Sequence, residues 1–121
     1  MWLESLPENC PPPDAIIPND FLCFRLATHN PPSKEDYFSQ RQLYPDKKFN
    51  VNECRARSLS VFSEKSECEM IKKFPPHREK HIVALRLFPK CGVIKSTGKS
   101  EAHFSWWVLS EFLHHLVIEE V

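Results

Sequence analysis

Apolar and polar positions alternate most regularly over residues 57 to 62 (RSLSVF), with Leu59 and Val61 on one face and Ser58, Ser60 and Phe62 on the other. A period of two is what a strand with one buried face requires. Phe21 to Ala27 (FLCFRLA) is β-compatible, apolar and aromatic with the single charge Arg25, and turn-forming Asn19-Asp20 and His29-Asn30-Pro31-Pro32 bound it. Residues 81 to 88 (HIVALRLF) form the strongest strand pattern, stopped by Pro89; residues 92 to 95 allow a short strand, and residues 103 to 108 (HFSWWV) another. Helical signals lie between these runs. Ser33 followed by Asp36 approximates a capping box and predicts a short helix over residues 34 to 42. Ser63 is placed to cap a helix over residues 64 to 74, with glutamates early, Lys72 and Lys73 late, and Pro75-Pro76 ending it. Residues 44 to 52 read as a loop. Residues 109 to 121 fit either a helix or a helical turn followed by a strand over residues 115 to 120, because periodicity does not separate the two.

This order predicts an α+β domain: a small mixed, mainly antiparallel sheet with two or three short helices. The chain has 121 residues, enough for one hydrophobic core. Residues 1 to 20 read as a Pro-rich extended N-terminal strap, because five prolines in the first 18 positions remove backbone donors. Residues 21 to 121 read as the single α+β domain. Apolar residues make up 41% of the chain and only two glycines occur, which argues for a folded chain and against a linker.

The first residues lack the basic start and apolar run of a secretory signal, so the chain is expected to stay where it is made. No apolar stretch approaches the roughly 18 to 20 residues of a membrane span, which excludes a membrane partner. The five cysteines lack C-x-x-C spacing and are odd in number, a pattern expected of free thiols in a cytoplasmic protein.

Net charge is zero but unevenly spread. Residues 1 to 53 hold five basic and eight acidic side chains, residues 54 to 99 eleven and four, and residues 100 to 121 none and four. The basic segment 54–99 can attract phosphates or nucleic acid; alternatively, the acidic ends fold back and neutralise it.

No metal site is expected, since only His77 and His81 have pair spacing and they straddle a loop-to-strand boundary. Neither Cys54 nor Cys68 has the local signature of a reactive thiolate. With Gly92 and Gly98 as the only glycines, no G-x-G-x-x-G or P-loop can be written, and Thr97-Gly98-Lys99-Ser100 is read as a polar loop. A distributed set carries more chemistry. Arg25 is suited to gripping a phosphate, Ser58 and Ser60 to bonding a ribose or amide, and Glu101 to stabilising an oxocarbenium-like centre. His103 stands two residues from Glu101, before Trp106 and Trp107. The two tryptophans point to opposite faces, with one expected in the core and one exposed for a partner.

Phe24-Arg25, Glu53-Cys54-Arg55-Ala56 with Leu59-Ser60-Val61-Phe62-Ser63, and His103-x-x-Trp106-Trp107 resemble an uncharacterised group of small bacterial proteins. The layout of an arginine strand, a serine strand and a late acidic element over roughly residues 21 to 108 is similar in outline to the ADP-ribosyltransferase-like fold. It lacks that fold's glycines beside the first-strand arginine and its paired acidic motif. The resemblance implies Arg25 as the first-strand arginine, Ser58 or Ser60 as the second-strand serine and Glu101 as the catalytic acid. Two functions are expected. One is a binding or interaction module with a protein partner, of the kind found in bacterial defence or toxin–antitoxin pairs, which needs no cofactor. The other is an ADP-ribosyltransferase-like enzyme acting on the nucleotide nicotinamide dinucleotide (NAD). Ser60 and Glu101 are then the candidate catalytic residues, and Arg25, Ser58, His103, Trp106 and Trp107 the candidate ligand-binding ones.

Overall fold

A computed structural model describes residues 1–112 and the backbone of 117–119. The α+β class holds: an antiparallel sheet carries three short α-helices. Strand β1 spans Phe21–Ala27, and α1 (Gln40–Leu43) and α2 (Glu53–Ala56) precede β2 (Leu59–Phe62). Helix α3 (Lys65–Ile71) leads to β3 (His81–Leu87), followed by β4 (Gly92–Ser96), β5 (His103–Val108) and β6 (Val117–Glu119). The strand order is β4-β5-β2-β1-β3-β6, with every described pair antiparallel.

Register assigns the side chains to faces. Leu59 lies opposite Trp106, Val61 opposite Phe104 and Ile94 opposite Trp106. These join Cys23, Ala27, Val83, Leu85 and Leu87 in the main core, under Tyr37 and Phe112. Tyr37 and Trp106 each meet the Phe112 ring edge-on or tilted, at 5.1 and 5.8 Å between centroids. The other face carries Phe24, Ser60, Phe62, Ala84, Ser105 and Trp107. Helix α3 packs over β1, β2 and β3 there and buries Cys68, while α2 lies against β5, where Trp107 Nε1 donates to the Cys54 carbonyl at 2.9 Å.

Several local expectations are refined. The helix expected over 34 to 42 splits into a 3-10 turn, Lys34–Tyr37, and α1, because Ser39 starts a new capping box with Gln42. The Ser33 signal itself is real: Asp36 Oδ2 accepts from the Ser33 amide at 2.9 Å. Ser63 does not cap α3; its amide donates to the Ala102 carbonyl at 2.9 Å, and Glu64 takes the cap position. Helix α2 is one turn, too short for a periodic signal, and the loop reading ended on its cap, Asn52, whose side chain accepts from the Arg55 amide at 2.8 Å. At the C-terminus, Val117–Glu119 is a strand; the remainder of the competing helix and strand readings lies outside the described residues. Among the described residues no helix is long and apolar enough to cross a membrane.

Gly92 is required where it stands. Its φ is +133°, and an added Cβ would come within 2.0 Å of the Trp107 carbonyl oxygen, a clash no side chain avoids.

Two readings are corrected. The cysteines are not all free thiols: Cys10 and Cys54 form a disulfide with Cα atoms 5.6 Å apart, leaving Cys23, Cys68 and Cys91 reduced and buried. Pairing spacings in the chain cannot reveal a bridge across 44 residues, and a reducing compartment no longer follows from the thiols. Nor is one tryptophan exposed. Both Trp106 and Trp107 are fully buried, because α2 and the bridged strap cover the face that a bare sheet would have left open.

The strap is pinned at several points. Leu3 N donates to the Val108 carbonyl, Ser110 N to the Met1 carbonyl, and Ile16 and Ile94 exchange two backbone bonds at 2.8 and 2.9 Å. It therefore shields the edge of β4.

Candidate functional site

Among the described residues, three of the eleven basic side chains in the middle segment pair with acids of the N-terminal part. Lys95 meets Asp14 at 3.0 Å, Arg86 meets Asp20 at 3.0 Å, and Arg57 joins Arg41 on Glu53 at 2.8 Å each. Those two guanidiniums hold the Glu53 carboxyl down to about 2.

Ser60 and His103 sit on the second face, in neighbouring strands. Ser60 pairs across the ladder with Ser105, and His103 with Phe62, a diagonal step that lets the two side chains meet. His103 Nε2 lies 2.9 Å from Ser60 Oγ, and Nδ1 lies 2.9 Å from the Thr97 carbonyl oxygen. A carbonyl only accepts, so Nδ1 carries the proton and Nε2 accepts from the Ser60 hydroxyl. The Thr97 hydroxyl lies 3.1 Å from Nδ1 and 2.8 Å from Ser105 Oγ, extending the network. The Phe62 ring meets the imidazole at 5.2 Å. Burial lowers the His103 pKa, the Thr97 carbonyl works to raise it and the Arg55 charge lowers it further, for a net decrease. The ring is therefore neutral near pH 7 and able to accept a proton.

Arg55, from α2, stands beside this pair. A Cβ on Gly98 would lie 3.3 Å from His103 Nδ1 and 3.7 Å from Arg55 Nη2, so guanidinium, imidazole and the Gly98 turn meet at one point. Gly98 has φ +78°, which lets the loop turn tightly there. Arg55 Nε is buried and has no hydrogen-bond partner. Across the loop, the Ser100 hydroxyl donates to Glu67 of α3.

The nominated residues distribute as follows. Arg25 lies on the main-core face, opposite the Ser60 side chain. Its Nε donates to the Asp36 carbonyl at 3.0 Å and its Nη1 to the Ser60 carbonyl at 2.6 Å. The reason is local: β1 and β2 share one registered pair, Phe24 with Phe62, and the guanidinium supplies a donor where the ladder gives out. Arg25 thus fixes the Ser60 backbone from one face while His103 holds its hydroxyl on the other. Arg25 and Ser60 do not share a cleft. Ser58 is turned inward, its hydroxyl donating to the Arg55 carbonyl at 2.7 Å and closing the C-terminal end of α2. Glu101 is exposed in the β4–β5 turn. Trp106 Nε1 donates to the Cys91 carbonyl at 3.0 Å and Trp107 Nε1 to the Cys54 carbonyl, and neither ring has a free edge.

Sequence reasoning brought Ser60 and His103 forward but missed Arg55 and Thr97. The signal for Arg55 was its place in the Glu53-Cys54-Arg55-Ala56 string, read there as part of a resemblance and not as chemistry.

On the main-core side, a cavity of about 230 Å³ is lined by Leu3, Lys34, Tyr37, Phe38, Gln42 and Phe112. It receives none of the nominated residues. Among the described residues no three His, Cys, Asp or Glu side chains gather as metal ligands do. No family model, curated protein or solved structure matches this chain.

Proposed function

We infer that the chain is a binding module, and that it takes a small ligand through an anionic group received by Arg55 beside the Ser60–His103 pair. The observation that carries this is the unpartnered, buried Nε of Arg55. A buried donor without an acceptor costs about 1–3 kcal/mol, and a guanidinium is the side chain that matches a phosphate or carboxylate bidentately. Neighbouring cations are held by carboxylates; Arg55 has none in contact among the described residues. The polar hydroxyls of Ser60 and Thr97 and the tight Gly98 turn would border the same ligand.

The binding reading is favoured over the enzyme that uses nicotinamide dinucleotide because the latter asks Arg25 to meet that ligand together with Ser60. Arg25 is spent on two backbone carbonyls on the opposite face. A tryptophan-bearing docking face is likewise disfavoured, since the Trp106 and Trp107 rings are both covered.

The test is a titration monitored at the His103 imidazole by NMR, with inorganic phosphate, acetate, adenosine monophosphate and nicotinamide dinucleotide as separate probes. At least one anion should shift the His103 signals in a saturable way, and Arg55→Ala should remove the shift while the Trp106 and Trp107 indole signals stay in place. Phosphate responding without acetate would assign a phosphate ligand, and the reverse a carboxylate. Flat titrations with all four at millimolar concentration would overturn the reading.

A further inference from the structure

The geometry points to Ser60 as a nucleophile activated by His103, giving this face of the sheet an acyl-transfer activity on small esters. Three features support it. Ser60 is exposed, so its Oγ is open to a reacting carbonyl. Its hydroxyl lies 2.9 Å from His103 Nε2, within the reach a general base needs. The imidazole is oriented through Nδ1 by the Thr97 carbonyl at 2.9 Å, so nucleophile, base and orienting acceptor form a line in which the third member is a backbone carbonyl.

Rigidity adds to the case. Ser60 and His103 stand on adjacent strands in the body of the sheet, not on loops, and Arg25 clamps the Ser60 carbonyl at 2.6 Å from the far face. A nucleophile held by its backbone and its hydroxyl at once is pre-positioned for attack. An exposed strand serine that served only as polar surface would need neither restraint.

The step is conventional in its bookkeeping. Ser60 Oγ bonds to the ester carbonyl carbon while its proton passes to His103 Nε2 and the carbonyl π pair moves onto oxygen. The result is a tetrahedral oxyanion. Collapse breaks the bond to the alcohol, which leaves with the proton from His103. Water, deprotonated by the same imidazole, then releases the carboxylic acid and restores Ser60.

The choice of substrate, a small ester bearing an anionic substituent, rests on the proposed Arg55 site; the nucleophile does not. A neutral reagent separates the two. Phenylmethylsulfonyl fluoride should sulfonylate Ser60, found by peptide mass after digestion, and Ser60→Ala should carry no adduct there. His103→Gln should slow the modification by roughly 10²-fold or more, the usual contribution of a general base. Because the reagent carries no anionic group, Ser60 of the unaltered protein should be modified even if every anion titration is flat. In the unaltered protein, the modification rate should rise with pH through one titration lying below the ordinary histidine range. The charged group acting on that titration is Arg55 on α2. Absence of an adduct on Ser60 in the unaltered protein would overturn the inference, whatever the variants do. So would an equal rate in a His103→Gln protein with unchanged near-ultraviolet circular dichroism.

Discussion

Opening the Cys10–Cys54 bridge is expected to lower stability by about 4 kcal/mol. The bridge joins positions 44 residues apart, and cross-linking a loop of that length removes roughly 13 cal/mol/K from the unfolded ensemble, or ~4 kcal/mol at 25 °C. The folded strap keeps its other anchors: the Leu3–Val108 and Met1–Ser110 bonds, the Ile16–Ile94 pair, and Arg57 Nη1 donating to the Ser5 carbonyl at 2.6 Å. The loss therefore falls mainly on the unfolded side, and the native structure persists when the bridge is cut. Reduction is selective as well. Cys23, Cys68 and Cys91 are already reduced and fully buried, and burial pushes the Cys23 thiol up to about 12 and the Cys68 thiol up to about 11. A reductant that leaves the protein folded thus exposes only Cys10 and Cys54 to alkylation, which mass spectrometry counts directly. In urea, with a dependence of about 2 kcal/mol per molar, the midpoint of the reduced protein should fall by roughly 2 M. Cys10→Ser/Cys54→Ser should reproduce it without reductant. Coincident midpoints for the oxidised and reduced proteins would refute the bridge as a restraint on the unfolded chain.

Two further outcomes follow from the ion pairs and the carbonyl clamp. The folded pKa of Glu53 is held at about 2 against its ordinary 4.5, so its contribution is present above pH 4.5 and is lost as pH falls toward 2. The urea-midpoint gap between the unaltered protein and Glu53→Gln should close over that interval and narrow in 1 M salt, since the carboxylate is 40% exposed; a gap independent of pH would refute the pairing. Arg25→Met leaves the Asp36 and Ser60 carbonyls without their donors and should cost about 2–4 kcal/mol in denaturant unfolding. It should also shift the His103 NMR signals through the Ser60 hydroxyl, whereas a purely peripheral Arg25 would leave them unmoved.

Local order was legible along the chain wherever periodicity or capping extended over enough residues. The β1, β3 and β5 runs and the capping role of Ser33 follow from side-chain spacing and backbone restriction, which act between near neighbours, whereas α3 ends at Ile71, short of the stop expected at Pro75. The single turn of α2 was beyond reach because four residues carry no period, and the loop reading of residues 44 to 52 ended just as Asn52 began to cap it. The α+β class needed only the order of such elements, so the residues themselves determined it.

Placement across the sheet was a tertiary decision. Ser60 and His103 are 43 positions apart and meet because β2 and β5 pair antiparallel in one register; a shift of one residue would send Ser60 to the other face. The same register turns Arg25 away from Ser60 Oγ and onto its carbonyl. Cys10 reaches Cys54, and with it α2 reaches Trp107, only after the strap has folded back over the sheet. Contacts of this kind depend on chain closure over tens of residues, which no local pattern encodes, and they decide that both Trp106 and Trp107 are buried and that Arg55 stands beside His103.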